Sequence, residues 1–251
     1  MRPNLLILAG TTEATALAQA AAEAGLAGTV SFAGRVARPR RQPLPQRVGG
    51  FGGPEGLATY LRAEGITHLI DATHPFAAQM SRNAVAGAAM ARVPLLALTR
   101  PVWTEAPGDD WIRVPDIAAA VATLDRPATS VLLAVGRMHL ADFAPNPQHR
   151  YLLRLVDPPD VPPPFPRHHV IVDRGPFDTG SDRALMTDHD IRIVVSKNAG
   201  GSGAYAKIAA ARDLGLPVVM IDRPALPARP EVGTVAEAMD WIAHAPTDLG
   251  V

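Results

Sequence analysis

The chain has no cysteine, which excludes disulfides, thiolate metal sites, iron–sulfur clusters and cysteine nucleophiles. Charge is sparse and balanced: 24 Lys+Arg against 24 Asp+Glu, with charged residues at 19%. A formal net charge of zero gives no general attraction to nucleic acid or membrane surfaces, so any basic patch must be local. No uninterrupted apolar run is long enough to span a bilayer. The run at residues 5–9 is too short for a secretory signal, and Gly10-Thr11-Thr12 interrupts it, so a cytoplasmic location is expected. Metal-ligand spacing is absent: His168 and His169 are adjacent and cannot face one site from a strand. Paired carboxylates at hydrolase spacing are not evident, and Gly201-Ser202-Gly203 does not fit the frame of a nucleophile elbow. What remains is 251 residues that are 47% hydrophobic, enough for one large or two small domains with a substantial core.

The most informative segment is Leu5-Leu6-Ile7-Leu8-Ala9-Gly10-Thr11-Thr12-Glu13-Ala14, followed by apolar positions at Ala16, Leu17, Ala20, Ala21 and Ala24. An apolar run, a tight turn and a helical period read as a buried parallel strand feeding a helix. The free N–H groups and positive dipole end of such a turn suit an anion. A dinucleotide fingerprint would have three glycines where this turn has one, and Glu13 puts a negative charge beside the cradle.

Strand and helix patterns alternate along the whole chain, which predicts parallel sheets covered by helices. In the first half, strands are expected at residues 5–9, 29–33, 67–72 and 94–99, with helices within 56–65 and at 76–91. After Arg100-Pro101 the pattern restarts, with strands at 111–114, 130–135, 151–156, 170–173, 191–195 and 217–221 and helices at 117–124, 204–214 and 236–243. Residues 157–164 hold five prolines and must form a stiff connection. The expected fold is α/β: two Rossmann-like parallel-sheet domains, residues 1–101 and 102–251, with a cleft between them.

Several strand ends carry polar groups. Arg35 stands just past the second strand, where an acid would accept from an NAD ribose and an arginine accommodates the 2′-phosphate of NADP. Arg38, Arg40 and Arg41 follow it as a local anion trap that suits an acidic substrate. Thr73, His74, Pro75 and Phe76 follow the third strand. Pro75 suits the first turn of a helix beginning there, and His74 could hydrogen-bond a ligand amide or move a proton. Lys197, Asn198, Gly200 and Gly201 form a glycine-rich turn after another buried strand, though without the order of a Walker loop. Arg137 and Arg223 add cations at further strand ends.

Three motifs in this order, Leu-Ala-Gly10-Thr11-Thr12-Glu13-Ala, Asp71-Ala-Thr73-His74-Pro75-Phe76-Ala and Ser196-Lys197-Asn198-x-Gly200-Gly201 followed by Ala-Tyr205-x-Lys207, resemble the precorrin-6A reductases of the cobalamin pathway. The resemblance runs over nearly the whole chain. It implies NADPH-dependent reduction of one double bond of precorrin-6A to give precorrin-6B. The substrate would be a flat, polycarboxylate tetrapyrrole, with neighbouring corrin-pathway enzymes as further partners. A non-catalytic NADP-binding regulatory module, or a hydride-transfer reductase for another acidic substrate, would share these strand ends. The expected cofactor site is Gly10, Thr11, Thr12, Glu13, Arg35, Thr73, His74, Pro75, Phe76, Lys197, Asn198, Gly200 and Gly201. Arg38, Arg41, Arg137, Tyr205 and Arg223 are expected to meet the substrate. No metal is called for, and His74 and Lys197 are the candidate catalytic groups.

Overall fold

The computed structural model describes residues 2–34, 41–173, 175 and 177–245. In chain order its elements begin β1 (Asn4–Leu8), α1 (Thr12–Glu23), β2 (Ala27–Phe32), β3 (Gln46–Val48), α2 (Pro54–Ala63), β4 (His68–Asp71), α3 (Ala78–Ala91) and β5 (Leu95–Leu98). They continue with β6 (Trp111–Val114), α4 (Ile117–Thr123), β7 (Ser130–Ala134), β8 (Arg150–Leu155), β9 (His168–Val172), α5 (Thr179–Asp188) and β10 (Ile193–Lys197). The last are α6 (Ala206–Asp213), β11 (Val218–Ile221), β12 (Glu231–Val232) and α7 (Val235–His244). Two short 3-10 turns, Arg137–His139 and Ala141–Phe143, follow β7.

By internal contacts the chain divides into two compact units, Met1–Arg100 with Ala225–Val251, and Pro101–Pro224. Each holds a six-stranded sheet whose described strand pairs are all parallel. The first sheet runs β3-β2-β1-β4-β5-β12 and the second β9-β8-β7-β10-β11-β6. The first is the doubly wound order, and the second matches it except that its sixth place is taken by β6, which precedes β7 in the chain. The strand order reverses between β1 and β4 in one sheet and between β7 and β10 in the other.

The β1 sequence explains its central place. Leu5 and Ile7 join the core beneath α1 and α7, with Leu17, Ala21 and Ile242. Leu6 and Leu8 join the core on the other face, with Leu57 and Leu61 of α2 and Ala84 and Ala88 of α3. A strand covered on both faces must be apolar at every position. Helices α2 and α3 approach so closely that a Cβ on Gly87 would stand 3.0 Å from Leu57 Cδ2 and from the Pro54 carbonyl oxygen.

Three expectations need correcting. Residues 225–245 were expected in the second domain, yet β12 pairs with β5 and α7 packs on the α1 core, so the sixth strand of the first sheet arrives after the whole second unit. Helix α3 begins at Ala78, with Ala77 as its N-cap, and Pro75-Phe76 form a turn before it instead of its first residues. Helix α5 was not foreseen because it buries only Asp182 and Met186, too little for an apolar period. Its start is nonetheless capped, since the Asp178 carboxylate accepts from the Ser181 amide.

Candidate functional site at the strand ends

In the first unit, the loops after β1 and β4 meet at the strand reversal, the usual ligand crevice of an open parallel sheet. Gly10, at φ 152°, turns the chain out of β1. Thr11 then ties three elements together: its hydroxyl accepts from the Ala14 amide at 3.1 Å, capping α1, and donates to the Ala72 carbonyl at 2.8 Å. That leaves the Thr12 and Glu13 amides as the first-turn donors of α1 with no carbonyl inside the helix to receive them. Glu13 does not spoil this anion cradle. Arg100 Nε donates to its carboxylate at 2.9 Å, and the Thr12 hydroxyl donates at 3.1 Å. The negative charge beside the cradle is thus neutralised by a cation from the loop after β5, the fifth strand of the sheet order.

The second loop is held by Asp71, which is 3% exposed. Its Oδ1 accepts from the Thr73 hydroxyl at 2.6 Å and the Thr73 amide at 3.2 Å; its Oδ2 accepts from Ser81 and from Arg229, each at 2.6 Å. A buried carboxylate with four donors fixes the 73–81 turn. Thr73 therefore acts as a positioning residue. His74 Nδ1 accepts from the Phe76 amide at 3.2 Å, which in the neutral ring puts the proton on Nε2. The two rings lie 5.9 Å apart.

In the second unit the loop after β10 is organised by a side chain that copies a strand ladder. Asn198, 3% exposed, accepts from the Trp103 amide at 2.8 Å and donates to the Trp103 carbonyl at 2.9 Å. Gly200 has φ 70°, and a Cβ there would collide with the Pro101 carbonyl and the Arg223 guanidinium. Gly201 accepts from the Trp103 indole at 2.6 Å. The Asn198 amide and both glycines therefore serve packing against residues 101–103. Arg223 donates to the carbonyls of Asn198 and Ala199, each at 3.1 Å. The Tyr205 hydroxyl accepts from Arg212, itself paired with Asp109 at 2.9 Å. Tyr205 and Arg223 thus also hold their own chain together. Lys197 ends β10, half-buried, and Arg41 is exposed. Arg35 and Arg38 lie outside the described residues.

Beneath this edge sits a buried charge cluster that sequence reasoning missed. Arg154 pairs with Asp182 at 2.5 Å, with side chains 8% and 5% exposed. Lys207 lies beside them, donating to the Ala204 carbonyl at 2.6 Å and placing its ammonium 5.1 Å from the Trp103 ring. Burial, and secondarily Arg154, push the Lys207 ammonium down to about 8. The other missed groups, Asp71, Arg100, Trp103 and Arg229, act through partners remote in sequence; only Asp71, inside a motif, stood where a local signal could find it.

Among the described residues no helix is long and apolar enough to cross a membrane. A profile of the family described as precorrin-6x reductase CbiJ/CobK matches residues 4–243. The precorrin-6A reductase of Rhodobacter capsulatus is 54% identical over 99% of both chains. That of a Sinorhizobium species is 46% identical over 97% of this chain and 94% of its own. A solved structure of CobK precorrin-6A reductase matches with a TM-score of 0.93 at 54% identity, over 99% of this chain and 100% of its own. With two doubly wound sheets and motif residues gathered at their carboxyl ends, the chain belongs to the precorrin-6A reductase family of cobalamin biosynthesis.

Proposed function

We propose that the protein reduces one double bond of precorrin-6A to precorrin-6B with NADPH as donor. The observation that carries this is the first-unit crevice: first-turn amides of α1 at the strand reversal, with the Glu13 carboxylate paired to Arg100 and the Asp71 carboxylate paired to Arg229. These residues fit a pyrophosphate. Gly10, Thr11, Thr12 and Glu13 would hold it through backbone donors and the α1 dipole. Arg35 would take the 2′-phosphate, while His74, Pro75 and Phe76 flank the nicotinamide end. A reduced nicotinamide bound there supplies the hydride.

This chain's residues bind and orient. Arg38, Arg41 and Arg137 suit the carboxylates of the substrate, and Lys197 adds a point charge at the end of β10. The carbon that does not receive hydride takes its proton from solvent, so no side chain is indispensable as an acid. Arg35→Ala raises KM for NADPH far more than KM for NADH, measured with precorrin-6A saturating, and His74→Ala retains measurable activity. Equal effects of Arg35→Ala on both nucleotides would remove Arg35 from the 2′-phosphate. Loss of all turnover in His74→Ala, with NADPH affinity intact, would make His74 the acid.

A further inference from the structure

The two strand reversals are built from the same order but end differently. After β1 the chain enters a twelve-residue helix. After β7 it makes Gly136 at φ 78° and two 3-10 turns of three residues each. Turns that short align few peptide dipoles, so the second reversal lacks the phosphate cradle of the first. It offers a different chemistry. Met138, Val156 and Val161 are 61%, 51% and 73% exposed, although large apolar side chains are normally covered. The parallel register pairs Leu133 with Leu153, so three residues further on Gly136 and Val156 leave neighbouring strand ends together. Arg137 Nη1 donates to Asp160 Oδ2 at 3.0 Å, which brings the 157–164 connection back to the same edge.

The proline-rich connection is stiff, and its far end is anchored by Phe165, 4% exposed and 4.1 Å from the Tyr151 ring. A rigid apolar edge with an arginine that donates to an 85% exposed aspartate suits a flat apolar ligand bearing carboxylates: the Arg137 Nη1 can exchange one carboxylate oxygen for another. Exposed apolar patches of this kind mark binding surfaces.

We propose that Met138, Val156 and Val161 dock one face of the precorrin-6A macrocycle, and that Asp160 holds in the free protein the place on Arg137 that a macrocycle carboxylate takes. This rests on the proposed reduction and names the surface that reads its substrate. The test is steady-state kinetics with precorrin-6A varied at saturating NADPH, alongside NADPH titration by fluorescence. Asp160→Asn removes the competing carboxylate and lowers KM for precorrin-6A several-fold. The double variant Met138→Ser with Val161→Ser raises it about tenfold, the equivalent of one buried apolar side chain. NADPH affinity and thermal midpoint stay at wild-type values in both. An unchanged or raised KM in Asp160→Asn, or a KM within twofold of wild type in the double variant, overturns the docking surface while the reduction stands. Wild-type protein that binds NADPH but never turns over precorrin-6A overturns the reduction, and this surface with it.

Discussion

Replacing Asp71 with asparagine keeps shape and one acceptor, so the Thr73 bonds survive while the Arg229 pair does not. The Arg229 side chain is 7% exposed and that of Asp71 1% exposed, so the guanidinium would be left as a buried cation. Removing one partner of a buried pair typically costs about 3–5 kcal/mol. Arg229 also donates to Glu231 at 3.1 Å, but that carboxylate is 48% exposed and compensates weakly. We therefore expect Asp71→Asn to lose about 3 kcal/mol in urea unfolding followed by circular dichroism. In the double variant Asp71→Asn with Arg229→Met the buried cation is gone, and most of that loss returns. NADPH binding stays near its wild-type value in the single variant, because the two Thr73 bonds that hold the 73–76 turn go to the oxygen that asparagine keeps. A single variant within 0.5 kcal/mol of wild type, or a double variant no better than the single, would refute the account.

Two smaller perturbations test neighbouring claims. Thr11→Val removes both the α1 cap and the link to Ala72, and should cost about 1–2 kcal/mol in the same urea assay while raising the Kd for NADPH. Lys207→Met addresses pH: with the folded ammonium at about 8 against 10.5 unfolded, folding expels a proton between those values. The wild type thus gains stability as pH rises from 8 towards 10.5, by up to about 3 kcal/mol. The methionine variant loses that slope and is the more stable protein at pH 7; parallel curves would refute the shift. Above pH 10 the buried Tyr151, pushed up to about 12 by burial, works the other way, so the comparison belongs below it.

Central strands were legible because burial on both faces writes them as continuous apolar runs: residues 5–9 and 191–195 sit within an element of β1 or β10 by one or two positions. The short edge strands of the first sheet leave no such trace. β3 has three residues, Gln-Arg-Val, and β12 has two, and each pairs on one side only. The strand-end motifs were legible as places, less so as roles. The glycines at 200 and 201 look like a ligand cradle in sequence, yet their freedom is needed against Pro101 and Trp103. Nothing local could announce Asp71 with Arg229, which are 158 residues apart. The same distance hid the domain boundary, since a sixth strand supplied from the far end of the chain looks in sequence like the tail of its nearest neighbour.

That late return has a consequence for any attempt to isolate the first unit. Residues 1–101, the domain that sequence pattern suggests, lack β12 and α7. Ala238 and Ile242 of α7 are buried in the core formed by Leu5, Ile7, Leu17 and Ile70, with Val235, Met239 and Trp241 packed against it. Burying an Ile, Val or Met side chain contributes about 1.5–3 kcal/mol, so losing α7 removes an amount comparable with the whole stability of an ordinary domain, about 5–15 kcal/mol. Arg229 would vanish too, leaving Asp71 without its cation. Residues 1–101 expressed alone should therefore lack a cooperative urea transition, whereas 1–100 joined by a flexible linker to 225–251 should fold and retain NADPH binding. A cooperative transition in the short fragment would show that α1 and the sheet hold that core without α7. The discontinuous unit would then be an accident of chain path, with no bearing on its stability.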